Sequence, residues 1–403
     1  MKVLVLNCGS SSIKYQLFNM ADRHVIAKGG IEKLGMKGSF LKHKTESGQS
    51  VVFEGEILDH KAGVEYVLGV LTSQKYGCLK TLDEIDAVGH RVVHGGEYFS
   101  SSEFVTDEVI DALVKCTDLA PLHNPPNIKG IEAMEELIPG IPQVGVFDTA
   151  FHQTMDPKAY MYGIPHVLYK KYGIRRYGFH GTSHRYVSKR ACDVAGLDYS
   201  KAKVISCHLG NGASIAAVDH GKSVDTSMGF TPLEGLIMGT RAGDLDVGAA
   251  TFIMEKEEIG MKTLNTLLNK HSGMLGLTGI SSDMREIREA SLEGNEKALE
   301  ALDIYCYKIK KYIGSYIAAM GGVDIVLFTG GIGEYATYVR EKVCADMDFL
   351  GIELDADKNL AAYGDEGIIS KEDSRVKVMV VPTDEELMIA LDTEKIVAKN
   401  AKA

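Results

Sequence analysis

The 403-residue chain has no apolar run approaching the ~18 residues that a membrane-spanning helix needs, and its opening stretch, Met1 to Leu6, turns polar at Asn7. The expectation is a cytoplasmic protein without a membrane anchor. There is no Lys/Arg block, and 44 Lys and Arg against 55 Asp and Glu leave a net charge of −11. No nucleic acid or membrane partner is therefore expected, since anionic surfaces are bound through clustered positive charge. CxxC pairs are missing and the seven cysteines are odd in number, a pattern of reduced thiols and not of a disulfide framework or zinc ribbon. With 45% hydrophobic and 25% charged residues the composition is globular, which excludes disorder and coiled coil. The length allows two or three domains, although no Pro/Ser-rich linker separates them. A small-molecule substrate fits these features best.

What is present is a repeated strand-turn-strand pattern. Val3 and Val5 alternate up to a break at Asn7-Cys8-Gly9-Ser10-Ser11-Ser12, and Ile13, Tyr15 and Leu17 resume at period two. About 200 residues later, Val204 to His208, a turn at Leu209-Gly210-Asn211-Gly212 and Ala213 to Val218 repeat the theme, which predicts a duplicated unit. Strand-like runs such as Ala87 to Val93 and Val144 to Phe147 alternate with helical stretches such as Val109 to Cys116 and Ile131 to Leu137, a mixed α/β pattern. Val323 to Phe328 reads as a buried strand leading into Thr329-Gly330-Gly331-Ile332-Gly333-Glu334, where backbone N–H groups at a helix start suit a phosphate. The domain boundary falls near residue 150.

Three Gly-rich turns following strands, at 7–12, 208–212 and 330–333, form the first candidate constellation, with Lys14 two residues past the first turn. Each alone is equally a hairpin turn. In Gly89-His90-Arg91-Val92-Val93-His94-Gly95-Gly96, period two puts Arg91 and Val93 on one face. A guanidinium beside a small apolar side chain suits an anion with a short hydrocarbon tail, paired by bidentate hydrogen bonds. Asp148 should sit at a strand's C-terminal end, where α/β proteins bind ligands.

His180 and His184 have a metal-like spacing, but Thr182 and Ser183 are expected to cap a helix from His184 toward Ala195 with Gly196 as its stop. His180 would then be a loop imidazole placed to donate to an oxyanion, off the helical face of His184. Thr383-Asp384-Glu385-Glu386 reads as a capping box with Thr383 as N-cap and Glu386 at N3, leaving Glu385 free to reach a cation such as Mg²⁺. Arg241, on a Gly-flanked loop, is a second candidate arginine or a surface charge.

Asn7 to Lys14, Gly89 to Gly96, Pro121-Leu122-His123-Asn124-Pro125, Phe147 to Gln153, Gly178 to His184, His208 to Gly212 and Gly229 to Gly235 closely resemble the acetate kinase (acetokinase) family, over about Val3 to Asp392. The resemblance implies two duplicated α/β domains of the actin-like ATPase (ribonuclease H-like) fold around a central nucleotide cleft. These would comprise 1–150 plus a C-terminal helix 386–403, and 151–385, the latter with nucleotide loops and a dimer interface. It implies a homodimer that transfers the ATP γ-phosphoryl group directly, in line, to acetate, giving acetyl phosphate and ADP.

Carried over by position, Asn7 and Glu385 would hold Mg²⁺, for which Mn²⁺ can substitute. Lys14, His208, Leu209, Gly210, Asn211, Gly212, Asp283, Met284, Arg285, Gly331, Ile332, Gly333, Glu334 and Tyr335 would bind ATP. Arg91 would bind acetate, with Val93, Leu122, Phe179 and Pro232 around its methyl group and His123 nearby. Asp148 would be the family's acid/base, with His180 and Arg241 stabilising the transition state. Since acetate is already ionised at pH 7, Asp148 is expected to orient more than to abstract a proton. Tyr335 and Asp384 stand where the family usually has Asn. A propionate or broader short-chain carboxylate kinase, and more remotely an actin-like ATPase clamp, are the alternatives.

Overall fold

The computed structural model describes residues 1–401. Its contacts divide the chain into two units, Met1–Gln153 together with the chain from Asp384 onward, and Thr154–Thr383.

In the first unit, alternation along Lys2–Cys8 (β1) sends Leu4, Leu6 and Cys8 into one core and Val3 and Val5 into another, so the strand is covered on both faces. β1 turns back at Gly9, whose N–H donates to the Ser12 carbonyl at 2.8 Å, into Ser12–Asn19 (β2). His24–Glu32 (β3), Phe40–Thr45 (β4) and Ser50–Glu54 (β5) extend this antiparallel meander on one side. On the other side of β1 lie Ala87–Val92 (β6) and Gln143–Phe147 (β8), both parallel, with the short Glu103–Phe104 (β7) at the edge. Helices His60–Leu71 and Asn124–Leu137 cover the Leu4 face, and Glu385–Asn400 covers the Val3 face through Ile389 and Ala390. Gly89 permits that last approach, because a Cβ there would lie 2.5 Å from Thr393 Oγ1.

The second unit repeats the plan. Lys203–Leu209 (β9), Ala213–Asp219 (β10) and Lys222–Thr226 (β11) form an antiparallel meander. Ile325–Thr329 (β12) and Lys377–Val380 (β14) add in parallel, and Gly367–Ile368 (β13) lies at the edge. The order β3-β2-β1-β6-β8 thus has its counterpart in β11-β10-β9-β12-β14. This is the duplicated actin-like ATPase arrangement. No helix among the described residues is long and apolar enough to cross a membrane.

Two helix starts depart from the expectation. Helix Glu385–Asn400 is capped by Asp384, whose carboxylate accepts the Leu387 N–H at 2.9 Å, and not by Thr383. Glu386 is therefore the second helical residue, and the Thr383/Glu386 capping box does not form. Aspartate is at least as good a cap as threonine, and the Thr383 hydroxyl is engaged with Ser183 Oγ at 2.8 Å. Helix Gly181–Ala195 begins before Thr182 and Ser183, with His180 itself at the N-cap in the left-handed region (φ 54°); Gly196 ends it with φ 68°.

Candidate active site

The candidate residues form two groups, one in each unit. In the first, Asn7 near the end of β1 is the cross-strand partner of Lys14 on β2, and Arg91 on β6 pairs in register with Val146 on β8. That parallel register brings Asp148, one residue beyond β8, to Arg91. Arg91 Nε donates to both Asp148 oxygens at 3.2 Å and Nη2 donates to Oδ2 at 2.6 Å. Asp148 is 1% exposed, and its N–H donates to the Val92 carbonyl at 2.9 Å. Asp148, then Glu385 and Glu386, hold the guanidinium proton more firmly than usual against the opposing effect of burial.

A cavity of about 150 Å³ is lined by Val5, Asn7, Lys14, Arg91, Glu385, Glu386 and Ile389. Burial pushes the Glu385 carboxyl up to about 7; Asp148 and Glu386 push the same way, while Arg91 and Lys14 oppose them. Glu386, expected to be spent on a cap, thus faces the same cavity. Asp384, which stands where the family usually has Asn, accepts the Leu387 N–H.

A second cavity of about 270 Å³ runs along the Gly-Ser turn and is lined by Asn7 to Ser12 together with Lys14, Arg91, Val93, His123 and Asn127. Arg91 and Val93 therefore share a wall, although Val93 lies one residue past β6. Leu122 lies outside this lining and is 67% exposed. Sequence reasoning missed what holds this wall. Asn127 accepts the Val93 N–H at 3.0 Å and donates to the Cys8 carbonyl at 2.7 Å. Asn124 accepts the His94 N–H and donates to its carbonyl. The signal was the Asn124 and Asn127 spacing at the start of a helix, of which only Asn124 lies in the Pro121–Pro125 motif.

In the second unit, three histidines approach one another. The His180 and His208 rings stack with centroids 4.3 Å apart, and His184 lies 6.4 Å from His180. The expectation that His180 and His184 diverge is corrected here, because the left-handed turn at His180 folds it back over the first helical turn. Hydroxyls bridge them, with Ser214 Oγ 2.9 Å from His180 Nδ1 and 2.7 Å from His184 Nε2. No group of three or more His, Cys, Asp or Glu side chains among the described residues is arranged to hold a metal ion.

The turn Gly210-Asn211-Gly212 follows β9, and a Cβ at Gly212 would lie 3.6 Å from Arg241 Nη1 and 3.7 Å from His180 Nε2. Arg241 and His180 thus face one glycine. Arg241 Nη1 also donates to the Pro232 carbonyl at 3.2 Å, and burial lowers the guanidinium's hold on its proton. Phe179 is buried beside His180.

Asp283 caps helix Met284–Leu292 and pairs with Arg285 at 2.6 Å. Gly331 to Tyr335 lie in the short helix Gly330–Tyr335 after β12. The Gly330 N–H, expected to be open to a phosphate, donates instead to Glu334 Oε1 at 2.9 Å. Tyr335 is partly exposed and meets Tyr363 edge-on, centroids 5.2 Å apart.

The profile of the Acetokinase family matches residues 2–391. A curated protein named acetate kinase from Azobacteroides pseudotrichonymphae is 62% identical over 393 residues, covering 98% of this chain and 99% of its own. The crystal structure of Porphyromonas gingivalis acetate kinase superposes with a TM-score of 0.96 at 57% identity, covering 98% and 99%. A propionate kinase from Francisella tularensis gives 0.91 at 41% identity over the same shares.

Proposed function

The chain belongs to the acetokinase family, and from that premise we propose that it is an ATP:acetate phosphotransferase, forming acetyl phosphate and ADP reversibly by direct in-line transfer. The observation that carries the acceptor assignment is the Arg91 and Val93 wall of the first unit, a cation beside a small apolar surface. Asp148 occupies the Nε–Nη2 edge of Arg91, so the substrate carboxylate is received on the Nη1–Nη2 edge. That refines the expected bidentate pairing, and it makes Asp148 the group that orients Arg91. An ionised carboxylate needs no base to become a nucleophile.

The remaining roles follow the chemistry of phosphoryl transfer, which is mostly positioning and charge stabilisation. Arg241 and His180 donate to the transferring phosphoryl group, and Lys14, the loop His208–Gly212, Asp283–Arg285 and Gly331–Tyr335 bind ATP. Within the first unit, Val93 faces the methyl group and His123 lies beside the carboxylate. Asn7 and Glu385 fit Mg²⁺, which takes oxygen donors, one or two carboxylates, and keeps waters. Burial first, then the charges of Asp148 and Glu386, raise the Glu385 carboxyl, and a dication held there would offset that gathering of negative charge. When bound, Mg²⁺ neutralises charge on the phosphate oxygens.

A homodimer accounts for helix Val247–Lys256, which buries none of its residues within the chain and exposes Val247 and Phe252 at 76% and 59%. The seven free cysteines suit a reducing, cytoplasmic setting. Propionate is the second reading, favoured by the 41% identical propionate kinase, and one methylene separates substrates by only ~1–3 kcal/mol. Hydroxylamine trapping of acyl phosphate with Mg²⁺-ATP and acetate, propionate or butyrate tests both. The highest kcat/KM is expected for acetate; a propionate preference would move the substrate, and ATP turnover independent of carboxylate would refute the kinase reading.

A further inference from the structure

Ser206 on β9 and Ser214 on β10 are polar side chains flanked by apolar neighbours, and both are fully buried. Ser214 Oγ touches two imidazole nitrogens, His180 Nδ1 at 2.9 Å and His184 Nε2 at 2.7 Å. A hydroxyl has one proton, so Ser214 donates to one ring and accepts from the other, and the two histidine tautomers are coupled. Ser206 Oγ, 2.8 Å from His184 Nδ1, sets the direction.

We infer that Ser206, His184 and Ser214 are positioning residues that form a relay fixing neutral His180 with its proton on Nε2, as a hydrogen-bond donor. The inference rests on the reading of His180 as a donor to the transferring phosphoryl group. Its argument is proton counting. Among the described residues, His184 Nδ1 is the one side-chain hydrogen-bond partner of the Ser206 hydroxyl, and a buried O–H left without an acceptor is disfavoured by about 5- to 150-fold. Ser206 therefore donates to His184 Nδ1, His184 Nε2–H donates to Ser214, and Ser214 donates to His180 Nδ1. The proton of His180 is left on Nε2, the nitrogen that shares the Gly212 face with Arg241. The reverse direction would make Nε2 an acceptor, which cannot stabilise developing negative charge. His208, stacked on His180 and itself held by Ser183 and through it Thr383, keeps the ring plane in place.

The test uses the full-length enzyme labelled with ¹⁵N-histidine, with long-range ¹H–¹⁵N spectra and the His180 signals assigned by their loss in His180→Gln. Wild type is expected to show the Nε2-protonated tautomer with a hydrogen-bonded Nδ1. Ser214→Ala should move Nδ1 to its unbonded position and lower kcat at least ~10-fold, within the roughly 10²- to 10³-fold that one oriented donor supplies. KM for acetate and ATP should stay within about twofold in that variant, as expected for an interaction made in the transition state. Ser214→Thr, which keeps the hydroxyl, should restore both readouts. Ser206→Asp, whose carboxylate only accepts, should reverse the relay and place the His180 proton on Nδ1. An Nδ1-protonated His180 in wild type, or an unmoved Nδ1 signal in Ser214→Ala, overturns the relay. A moved signal with unchanged kcat upholds it and overturns instead the role of His180 as donor.

Discussion

Asp148→Asn separates an orienting carboxylate from a proton-abstracting one. In the native pair, Nε contacts both oxygens at 3.2 Å and Nη2 contacts Oδ2 at 2.6 Å, all three as donors to an anion that is 1% exposed. Asparagine keeps one acceptor and replaces the other with an NH₂ that faces an N–H of Arg91, so at least one charge-assisted bond is lost. Such a bond is worth about 1.5–3 kcal/mol, or roughly 10- to 150-fold. Expressed through misorientation of Arg91, the loss should appear as about a 10²-fold fall in kcat/KM for acetate, measured by hydroxylamine trapping at saturating Mg²⁺-ATP. With Glu385 held ionised by bound Mg²⁺, the pH–rate profile between pH 6 and 8 should keep its shape, because acetate carries no proton there. The melting temperature should fall by a few degrees, since the half-buried guanidinium keeps an acceptor but loses its counter-charge. A kcat/KM within threefold of wild type would show that the pair does not orient the substrate. A loss beyond about 10⁴ with a changed pH profile would show that Asp148 moves a proton.

Arg241→Ala should lower kcat by about 10³-fold or more with the ATP KM nearly unchanged, as for an arginine acting on the transferring phosphoryl group, and a near-normal kcat would remove it from that role. In Gly239→Ala the new Cβ would overlap Asn211 Oδ1 and lie 3.1 Å from the Ser282 carbonyl, so the Asn211 side chain in the 210–212 turn must move aside. The ATP KM should rise about tenfold there, and wild-type kinetics would show that the turn does not bind nucleotide. His90 is buried against Gln143 Oε1 at 2.7 Å, and burial lowers it to about 4. Because its folded value lies below the unfolded 6.5, its stabilising contribution is complete above pH 6.5 and is lost as pH falls toward 4, by roughly 3 kcal/mol in all. Urea midpoints from pH 7.5 to 5 should therefore fall less steeply in His90→Gln than in wild type, and parallel slopes would refute the assignment.

The repeated hairpins were legible because period-two alternation and Gly-Ser turns are local properties, and duplication made each reading support the other. The same locality explains what was not read. Arg91 and Asp148 were each visible as candidates, but their pairing depends on the parallel register of β6 and β8, 57 residues apart along the chain, which no window of sequence contains. Thr383 and Asp384 are adjacent and both competent caps, so local chemistry could not choose; the tertiary contact of Thr383 with Ser183 does. At His180 a non-glycine residue takes φ 54°, against its local preference, and this turn brings His180, His184 and His208 together. In each case a charged or imidazole group that spacing can nominate is oriented by a buried partner from a strand or helix distant in sequence. Arg91 depends on Asp148 and His180 on Ser214, so their reactivity resides in bonds that only the folded sheets create.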